Sequence, residues 1–381
     1  MNYKVSFLTT LLLLVSMTLF GQKRVSMTFI GDIMGHGAQL EDADYKLHQD
    51  SLVNPYQHCF QYIKRSLSKS DFTIGNLEVT LAGEPYSGYP TFSSPTSLLE
   101  ACRNAGIDLF ALANNHVMDR GFRGVRRTIS ALEERNIPYM GAYIDSASRA
   151  NKSYLVLEKE GIRIGVLNYT YGTNGIAVRP PIVVNKIDTT QIRQDVACLQ
   201  QKGVDQIVTM FHWGYEYHLK PSVAQKKLTS FMHHLGVRVV IGSHPHVVQP
   251  INWNREKGEL CVYSLGNFIS NQRECPKDVG LIVNLEFVKD SISCRLDSVS
   301  YQTTYVHRYP QGEGYGFEVL PYHYVGGDSI AAFDKTFRKK ASHDVHVIDS
   351  LLKKSDAYAH QYSDQFKDII PKRIKMKSVK F

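Results

Sequence analysis

The sequence predicts an α/β fold in which helices cover β-sheets. Short apolar, β-branched stretches typical of buried strands, such as residues 25–30 and 237–241, recur along the chain. Stretches with helical periodicity, such as residues 122–136 and 223–235, lie between them. Strands that alternate with amphipathic helices indicate sheets packed beneath helices. With 381 residues and 43% hydrophobic content, the chain predicts one substantial domain with an appendage.

Five predicted strands end in side chains that can bind a metal ion or take part in catalysis. In chain order the strands cover residues 25–30, 71–75, 109–113, 207–211 and 237–241. The polar residues that follow them are Asp32 and His36; Asn76 and Glu78; Asn114, Asn115 and His116; His212 and Glu216; and His244 and His246. Because the carboxyl ends of neighbouring strands share one edge of a sheet, we expect these side chains to converge there.

The donor types predict which metal ions such a site binds. Pro245 separates His244 from His246, and its fixed φ holds both imidazoles on a stiff loop. The other candidate donors are carboxylate and amide oxygens, with no thiolate among them. This set favours Mn, Fe or Zn over a structural zinc site built from cysteines.

Six short motifs give the chain a resemblance to a known family. They are GDIMGH (31–36), GNLE (75–78), ANNH (113–116), HWGYEY (212–217), GSHPHVVQ (242–249) and YSLGNF (263–268), and VNKID (184–188) fits with them. In this order they resemble the poly-gamma-glutamate capsule biosynthesis proteins of the CapA type, a branch of the calcineurin-like metallophosphoesterase superfamily. The resemblance covers residues 25–310, and it implies two facing mixed β-sheets flanked by helices.

The resemblance also implies a site that holds two divalent metal ions. The implied ligands are Asp32, Glu78 as the carboxylate that bridges the ions, Asn115, His212, His244 and His246. His116 would be the catalytic histidine. The chain departs from the superfamily pattern at Glu78, where most members have an aspartate, and at His36, which follows Asp32 by four residues instead of two.

Three further residues have predicted roles near this site. For His36, a metal ligand and a hydrogen-bonded loop residue are equally good interpretations. Asn76 is expected to shape its turn through side-chain hydrogen bonds to the backbone. Glu216 lies four residues after His212 and is a candidate to orient a ligand imidazole.

The beginning of the chain predicts export. Lys4 precedes the apolar stretch 5–20, and residues 1–22 together have the pattern of a secretory signal peptide. An uncleaved membrane anchor is the alternative. We therefore expect a protein of the periplasm or of the extracellular side, with cell-surface association as a further possibility.

The end of the chain predicts a basic, partly helical extension. Residues 311–381 form this extension, which opens in a Gly- and Tyr-rich stretch at 310–317, and helix-like patches fall at 348–352 and 358–366. The last 51 residues contain 12 Lys and Arg against 6 Asp, so they carry +6 of the net charge of +8. A solvated face is the simpler interpretation, and contact with an acidic polymer, an anionic surface or lipid headgroups is the alternative. The absence of a nucleic-acid-binding motif argues against nucleic acid as a partner.

Two functions are compatible with these features. The first is a metal-dependent hydrolase that acts on a phosphoester, or on an amide or ester linkage of an extracellular polymer such as poly-gamma-glutamate. The second is a non-catalytic component that binds an anionic polymer within a capsule synthesis or export assembly. The presence of His116 and of Glu78 favours the hydrolase, because a binding protein has no need of either.

Overall fold

The computed structural model describes residues 22–322 and 335–353, together with the backbone of 360–361. The expected signal peptide lies outside this range except for Gln22, and so does most of the basic end. Within the described residues, no helix has both the length and the apolar character that a membrane span requires.

Strands and helices alternate as the sequence predicts. The strands are β1 (Lys23–Ile33), β2 (Phe72–Leu77), β3 (Leu109–Ala111), β4 (Tyr139–Met140), β5 (Ala142–Tyr143), β6 (Leu155–Lys159), β7 (Ile162–Thr170), β8 (Val183–Val184), β9 (Gln206–His212), β10 (Val239–Ser243), β11 (Ile251–Asn254), β12 (Glu259–Val262), β13 (Asn267–Ile269), β14 (Val279–Lys289), β15 (Cys294–Gln311), β16 (Gly314–Pro321) and β17 (His360–Gln361). The helices are α1 (Gly37–Gln49), α2 (Lys64–Leu67), α3 (Thr96–Asn104), α4 (Gly121–Glu133), α5 (Ser146–Lys152), α6 (Thr189–Gln201), α7 (Val223–His234) and α8 (Lys335–Lys353), with a short 3-10 helix at Gln57–Phe60.

The first sheet has nine strands in the described part of the chain. Its order is β16-β15-β14-β1-β2-β3-β4, with β13 added beside β1 and β17 beside β15. The strands β1 to β4 run parallel, whereas β1, β14, β15 and β16 pair antiparallel. The sheet is therefore mixed, with β1 at the junction of its parallel and antiparallel halves.

The second sheet has six described strands in the order β11-β12-β10-β9-β7-β6. Its centre, β7, β9, β10 and β12, is parallel, and the edge strands β6 and β11 are antiparallel to their neighbours. The strands β5 and β8 form a small separate ladder.

The two sheets face each other across an apolar layer. On β1, Met27 and Phe29 point into this layer, where they join Met210 of β9 and Ile241 of β10. The opposite face of the first sheet packs with α3 and α4, and that of the second sheet packs with α6 and α7. Because central strands are buried on both faces, they appear in the sequence as predominantly apolar stretches. The predicted fold class, two facing mixed sheets flanked by helices, is confirmed.

The first sheet extends further along the chain than the predicted domain boundary at 310. The strand β15 ends at Gln311, and β16 returns antiparallel to it, so the boundary lies inside a β-hairpin. The Gly- and Tyr-rich stretch is thus part of this hairpin and does not open the extension. The side chains of Phe317 and Val319 on β16 are fully buried, which places this strand in the core of the domain.

The C-terminal extension contains one described helix, and that helix is attached to the main domain. In α8, Ala341, Val345, Ile348 and Leu352 recur at helical spacing and are buried with the apolar layer between the sheets. Residues 348–352, predicted to be helical, form its last turns. Within the second predicted helical patch, residues 360–361 instead form β17 beside β15.

Candidate metal centre

The predicted site residues converge where strand ends of the two sheets face each other. Asp32 and Glu78 come from β1 and the end of β2 in the first sheet, and His212, His244 and His246 come from the ends of β9 and β10 in the second. All five are at most 3% exposed to solvent, so charges here interact with little screening.

Gly31 sets the position of Asp32 at the end of β1. The pairing of β1 with β2 shifts register between Ile30 and Asp32, and the Asp32 amide donates to the carbonyl oxygen of Gly266 at 3.0 Å. A Cβ atom at Gly31 would lie 1.8 Å from that carbonyl oxygen, so only glycine fits. This close approach holds the backbone of Asp32 against the loop that follows β12.

Two groups of potential ligands share one carboxylate. In the first group, ligand atoms of Asp32, Glu78 and His212 lie within 4.8 Å of one another, and in the second the same holds for Glu78, His244 and His246. The Nε2 atoms of His212 and His246 lie 3.5 Å and 3.8 Å from Glu78 Oε1. Glu78 therefore stands where a carboxylate shared by two ions would stand.

The loop that carries His244 and His246 has an unusual backbone. Both residues have positive φ, +97° and +57°, on either side of Pro245. Such conformations cost about 1–3 kcal/mol each in non-glycine residues and concentrate at functional sites. Here they turn two imidazoles, from positions two residues apart, toward Glu78.

Hydrogen bonds from neighbouring amides orient the candidate ligands. Asn76 Nδ2 lies 2.8 Å from Asp32 Oδ1, 3.3 Å from Glu78 Oε2 and 3.3 Å from His212 Nδ1. An amide nitrogen has only two hydrogens, so it cannot donate fully to all three. Asn76 was expected to shape its own turn through hydrogen bonds to the backbone, but its described side-chain contacts are instead with the carboxylates and one imidazole of the cluster and with Asn114.

Both ring nitrogens of two candidate imidazoles have defined neighbours. Asn115 Oδ1 is 2.8 Å from His212 Nε2, which places this amide oxygen beside the first ligand group. Asn267 Oδ1 is 3.1 Å from His246 Nδ1 and Asp32 Oδ2 is 3.2 Å from it, which leaves His246 Nε2 directed at Glu78. For His246, the two acceptors place the ring proton on Nδ1 and leave Nε2 available to a metal ion.

The burial of the cluster changes its protonation in the absence of a metal ion. Burial raises the pKa of Glu78 well above its ordinary value, and the charge of Asp32 adds to this effect. Burial lowers the pKa of His212 well below normal and that of His244 to about 3. For Asp32, burial opposes ionisation, but the hydrogen bond with His246 and the charge of that histidine outweigh it, so the pKa is lowered. The imidazoles of His212 and His244 are therefore neutral and ready to bind a metal ion.

Two atoms in this cluster indicate that a cation fits. Glu78 Oε1 and His244 Nδ1 are buried, and neither has a hydrogen-bond partner. Leaving a buried polar atom unpaired costs about 1–3 kcal/mol, so such atoms are rare without a function. A divalent ion among these oxygen and nitrogen donors would satisfy both atoms, and the donor set suits Mn, Fe or Zn.

His116 lies beside the cluster and is held by a carboxylate. Its Nδ1 is 2.8 Å from Asp119 Oδ2, and both residues are buried. The ring also packs edge-on against Phe92, with 4.6 Å between the ring centroids. Since Asp119 accepts the Nδ1 proton, Nε2 is the nitrogen that can exchange a proton with a substrate. Sequence reasoning missed Asp119, for which the H-x-x-D spacing of residues 116–119 is the only local signal.

His36 and Glu216 lie apart from the two ligand groups in the described structure. His36 Nδ1 accepts the amide hydrogen of Asn271 at 3.2 Å, and burial lowers its pKa to about 4. This contact fits the interpretation of His36 as a hydrogen-bonded loop residue. Metal binding by His36 stays a prediction. Glu216 is exposed on the loop after β9, and among the hydrogen bonds of the described residues none joins its carboxylate to an imidazole. Its expected role in orienting a ligand therefore has no support.

The fold and the site together define a class of protein: a sandwich of two mixed sheets with a buried candidate centre for divalent metal ions at the facing strand ends. Residues 26–272 match the family described as Bacterial capsule synthesis protein PGA_cap. The chain belongs to this family, which confirms the resemblance seen in the motifs.

Two similar proteins have names that refer to capsule or PGA biosynthesis. The chain is 30% identical over 263 residues to Capsule biosynthesis protein CapA of Bacillus anthracis, covering 66% of this chain and 61% of that protein. It is 28% identical over 255 residues to PGA biosynthesis protein CapA of Bacillus subtilis, covering 65% and 64%. The matches thus span less than two thirds of the length of either relative.

Solved structures of low sequence identity also align with the chain. The calcineurin-like phosphoesterase YfkN from Bacillus subtilis is 14% identical, with a TM-score of 0.45 and coverage of 74% of this chain and 90% of that one. A phosphatase from Mycoplasma pneumoniae is also 14% identical, with a TM-score of 0.43 and coverage of 74% and 94%.

Proposed function

We propose that the protein is a metal-dependent hydrolase of the capsule synthesis pathway, acting on a phosphoester or on an amide or ester linkage. One observation carries the proposal. Glu78 belongs to both ligand groups, and its buried Oε1 has no hydrogen-bond partner. A carboxylate in this state is suited to two divalent ions, and sites that bind two ions commonly catalyse hydrolysis.

Each proposed ion would have ligands from both sheets. Asp32, Glu78 and His212 would hold one ion, with Asn115 as a further oxygen donor, and Glu78, His244 and His246 would hold the other. Bound divalent ions supply Lewis-acid stabilisation of developing negative charge and lower the pKa of a water molecule. The surrounding apolar layers exclude bulk water, which strengthens every charge interaction in the site.

His116 is the proposed general acid. Asp119 holds the proton on Nδ1 and so orients the ring, while Nε2 can hold a second proton and donate it to the leaving oxygen or nitrogen. The carboxylate of Asp119 also stabilises the protonated ring before the transfer. The same pair would serve a phosphoester or an amide substrate, since both need a proton on the leaving group.

The pathway and location are proposed from family membership and from the chain termini. The names of the Bacillus relatives support a capsule polymer such as poly-gamma-glutamate, or the machinery that makes or exports it, as the partner. The apolar stretch 5–20 after Lys4 supports export to the periplasm or the extracellular side. Contact of the basic end with the membrane surface belongs to the same proposal.

The test combines metal analysis with a substrate screen. Protein purified after supplementation with Mn, Fe or Zn is analysed for bound metal and then assayed with phosphomonoesters, phosphodiesters and γ-glutamyl peptides. We expect one to two ions per chain and hydrolysis of at least one substrate class. A protein without bound metal under all three conditions would contradict the proposal. Bound metal without turnover, combined with binding to poly-gamma-glutamate, would instead establish the non-catalytic alternative.

A further inference from the structure

A cavity opens directly beside the candidate metal centre. It has a volume of about 600 Å³ and lies at the carboxyl ends of β7 and β9, against the first turns of α7. Tyr171, which follows β7, forms one of its walls. The ring of Tyr171 lies 4.6 Å from that of His244 and 6.3 Å from that of His212, between ring centroids. A group bound in this cavity is therefore one aromatic ring away from the candidate ligands.

The cavity presents an apolar surface. Its apolar side chains are Tyr171, Ile187, Trp213, Tyr215, Leu228 and Phe231. Two polar groups among its walls have partners within the protein: Gln225 Nε2 donates to Gln249 Oε1 at 2.8 Å, and Trp213 Nε1 donates to the Tyr263 carbonyl oxygen at 2.9 Å. A ligand here would gain from burying apolar area more than from hydrogen bonds.

Two glycines allow the walls to pack closely. A Cβ atom at Gly214, which has a φ of +92°, would lie 2.8 Å from Gln225 Oε1. A Cβ atom at Gly242 would lie 2.5 Å from Trp213 Nε1. Trp213 also stacks on Phe211, with 4.8 Å between the ring centroids. The wall around Trp213 is thus fixed in place before any ligand binds.

The mouth of the cavity combines exposed aromatic rings with a positive charge. Tyr171 is 46% and Tyr215 is 64% exposed, although large apolar side chains are usually buried. Exposed aromatic groups that share a concave surface are typical of ligand-binding sites. Lys227 of α7 lines the same cavity and favours ligands that carry negative charge.

We infer that this cavity is a substrate subsite that binds an apolar aryl or alkyl group attached to the anionic group placed at the metal centre. The inference rests on the proposed function and specifies its substrate class. Poly-gamma-glutamate carries a carboxylate on every residue, and burying those charges against apolar walls is unfavourable. The cavity therefore favours a phosphoester with an apolar substituent over an unmodified acidic polymer.

The test compares three phosphates that differ only in their substituent. Phenyl phosphate, hexyl phosphate and methyl phosphate are titrated into the manganese-loaded protein by calorimetry. We expect phenyl phosphate, hexyl phosphate or both to bind about tenfold more tightly than methyl phosphate, since one small apolar group in a pocket contributes about that factor or more. Which of the two gains affinity distinguishes an aryl subsite from an alkyl subsite.

A pair of variants on α7 tests the location. Ala224 lines the cavity, so Ala224→Trp fills it; Val223 does not line it and is 69% exposed, so Val223→Trp is the matched control. Ala224→Trp should lose the tenfold gain but keep the affinity for methyl phosphate and the metal content, whereas Val223→Trp should retain all three. Equal affinities for the three phosphates in the unmodified protein, or a gain that survives in Ala224→Trp, would overturn the inference.

A second measurement does not depend on metal. The chain has two tryptophans, so a Trp253→Phe background reports on Trp213 alone. Neutral 1-naphthol should quench its fluorescence in metal-free protein. Ala224→Trp should abolish this binding, which is measured for that variant by direct calorimetric titration of 1-naphthol because the substitution adds a tryptophan. If metal analysis contradicts the proposed hydrolase function, this measurement still decides whether the cavity binds an apolar group. Lack of 1-naphthol binding would overturn the inference.

Discussion

Glu78 has opposite protonation requirements with and without a metal ion. Burial and the nearby Asp32 charge raise its pKa, so the metal-free site favours its protonated form. A metal ligand must be the carboxylate. His212 and His244 have lowered pKa values, so their imidazoles are neutral at neutral pH and lose no proton when they bind a metal ion. The proton lost on metal binding is therefore expected to come from Glu78 and not from these two imidazoles.

Metal binding should release a proton at pH values above 4.5, the ordinary pKa of a glutamate, and below the raised pKa of Glu78. In this range the metal affinity rises with pH, because a higher pH lowers the fraction of protein in which Glu78 holds a proton that competes with the metal ion. Calorimetry in buffers with different ionisation enthalpies measures the release. Glu78→Gln should bind the metal ion more weakly and should not release the proton that Glu78 loses in the unmodified protein. Binding to the unmodified protein without proton release would contradict the assignment.

Substitutions of two histidines should separate metal binding from catalysis. His246→Ala removes an imidazole directed at Glu78 and should lower the metal content. His116→Ala should keep most of the metal and lower turnover by about 10²- to 10⁴-fold, the usual effect of removing one general acid. Elemental analysis beside a turnover assay makes the comparison. Equal metal loss in both variants would refute the two roles.

The convergence of the candidate ligands could be predicted from the sequence better than the positions of the residues that support them. Asp32, Glu78 and His212 follow apolar runs, so their convergence depends only on neighbouring strands sharing an edge. Asp119 supports His116 through a loop whose path the sequence does not define. His36 contacts Asn271, 235 residues away, and also Gln39, three residues away. The contact with Asn271 cannot be predicted from local sequence, and the contact with Gln39 does not distinguish a ligand from a loop residue.

At the scale of elements, the pairing between strands determines the structure of segments whose local sequence is ambiguous. The five strands that precede the site were predictable because each contains a short stretch rich in apolar, β-branched or aromatic residues. The hairpin of β15 and β16 was missed, since residues 310–317 have a turn-like composition. Its identity depends on pairing with β14 and on the burial of Phe317 and Val319, which are properties of the assembled sheet.

The close contact at the end of β1 leads to a prediction for Gly31. In Gly31→Ala, the new Cβ would overlap the Gly266 carbonyl oxygen, so the backbone must shift. We expect a loss of about 1–3 kcal/mol in the free energy of unfolding, typical of overpacking, together with reduced metal content because Asp32 is adjacent. Gly37→Ala is the control, since no atom lies within 4 Å of a Cβ there. Urea denaturation and elemental analysis that fail to separate the two variants would contradict this account of Asp32.

At the scale of the molecule, the candidate centre exists only when both sheets are in place. The carboxylates come from the first sheet and the imidazoles from the second, so a bound ion would join the two halves of the sandwich. Ligands that bind the native state alone stabilise it in proportion to their affinity and concentration. The helix α8 is attached to the first sheet by Lys340, which contacts Asp278, between β13 and β14, at 2.6 Å.

The position of α8 determines how the basic end can be tested. A deletion that included α8 would remove Val345 and Ile348 from the core, so the deletion should begin after Gln361. Residues 362–381 contain six Lys and Arg and two Asp, so their removal takes away +4 of the net charge of +8. None of the candidate ligands lies in this segment, and we expect the truncated protein to keep its metal content and its thermal stability.

The truncated protein should bind anionic polymer or anionic vesicles more weakly than the full chain. Exposed charges are screened with a Debye length of about 8 Å at physiological ionic strength, so association of the full chain should fall steeply with added salt, and that of the truncated chain should not. Cosedimentation with poly-gamma-glutamate or anionic vesicles across a salt series measures this. A full-length variant with Lys372, Arg373, Lys375, Lys377 and Lys380 all replaced by Gln is the matched control for charge alone. It should behave like the truncated chain, because the attraction depends on charge and not on the presence of the segment. Identical, salt-insensitive association of all three proteins would leave the basic end as a solvated surface.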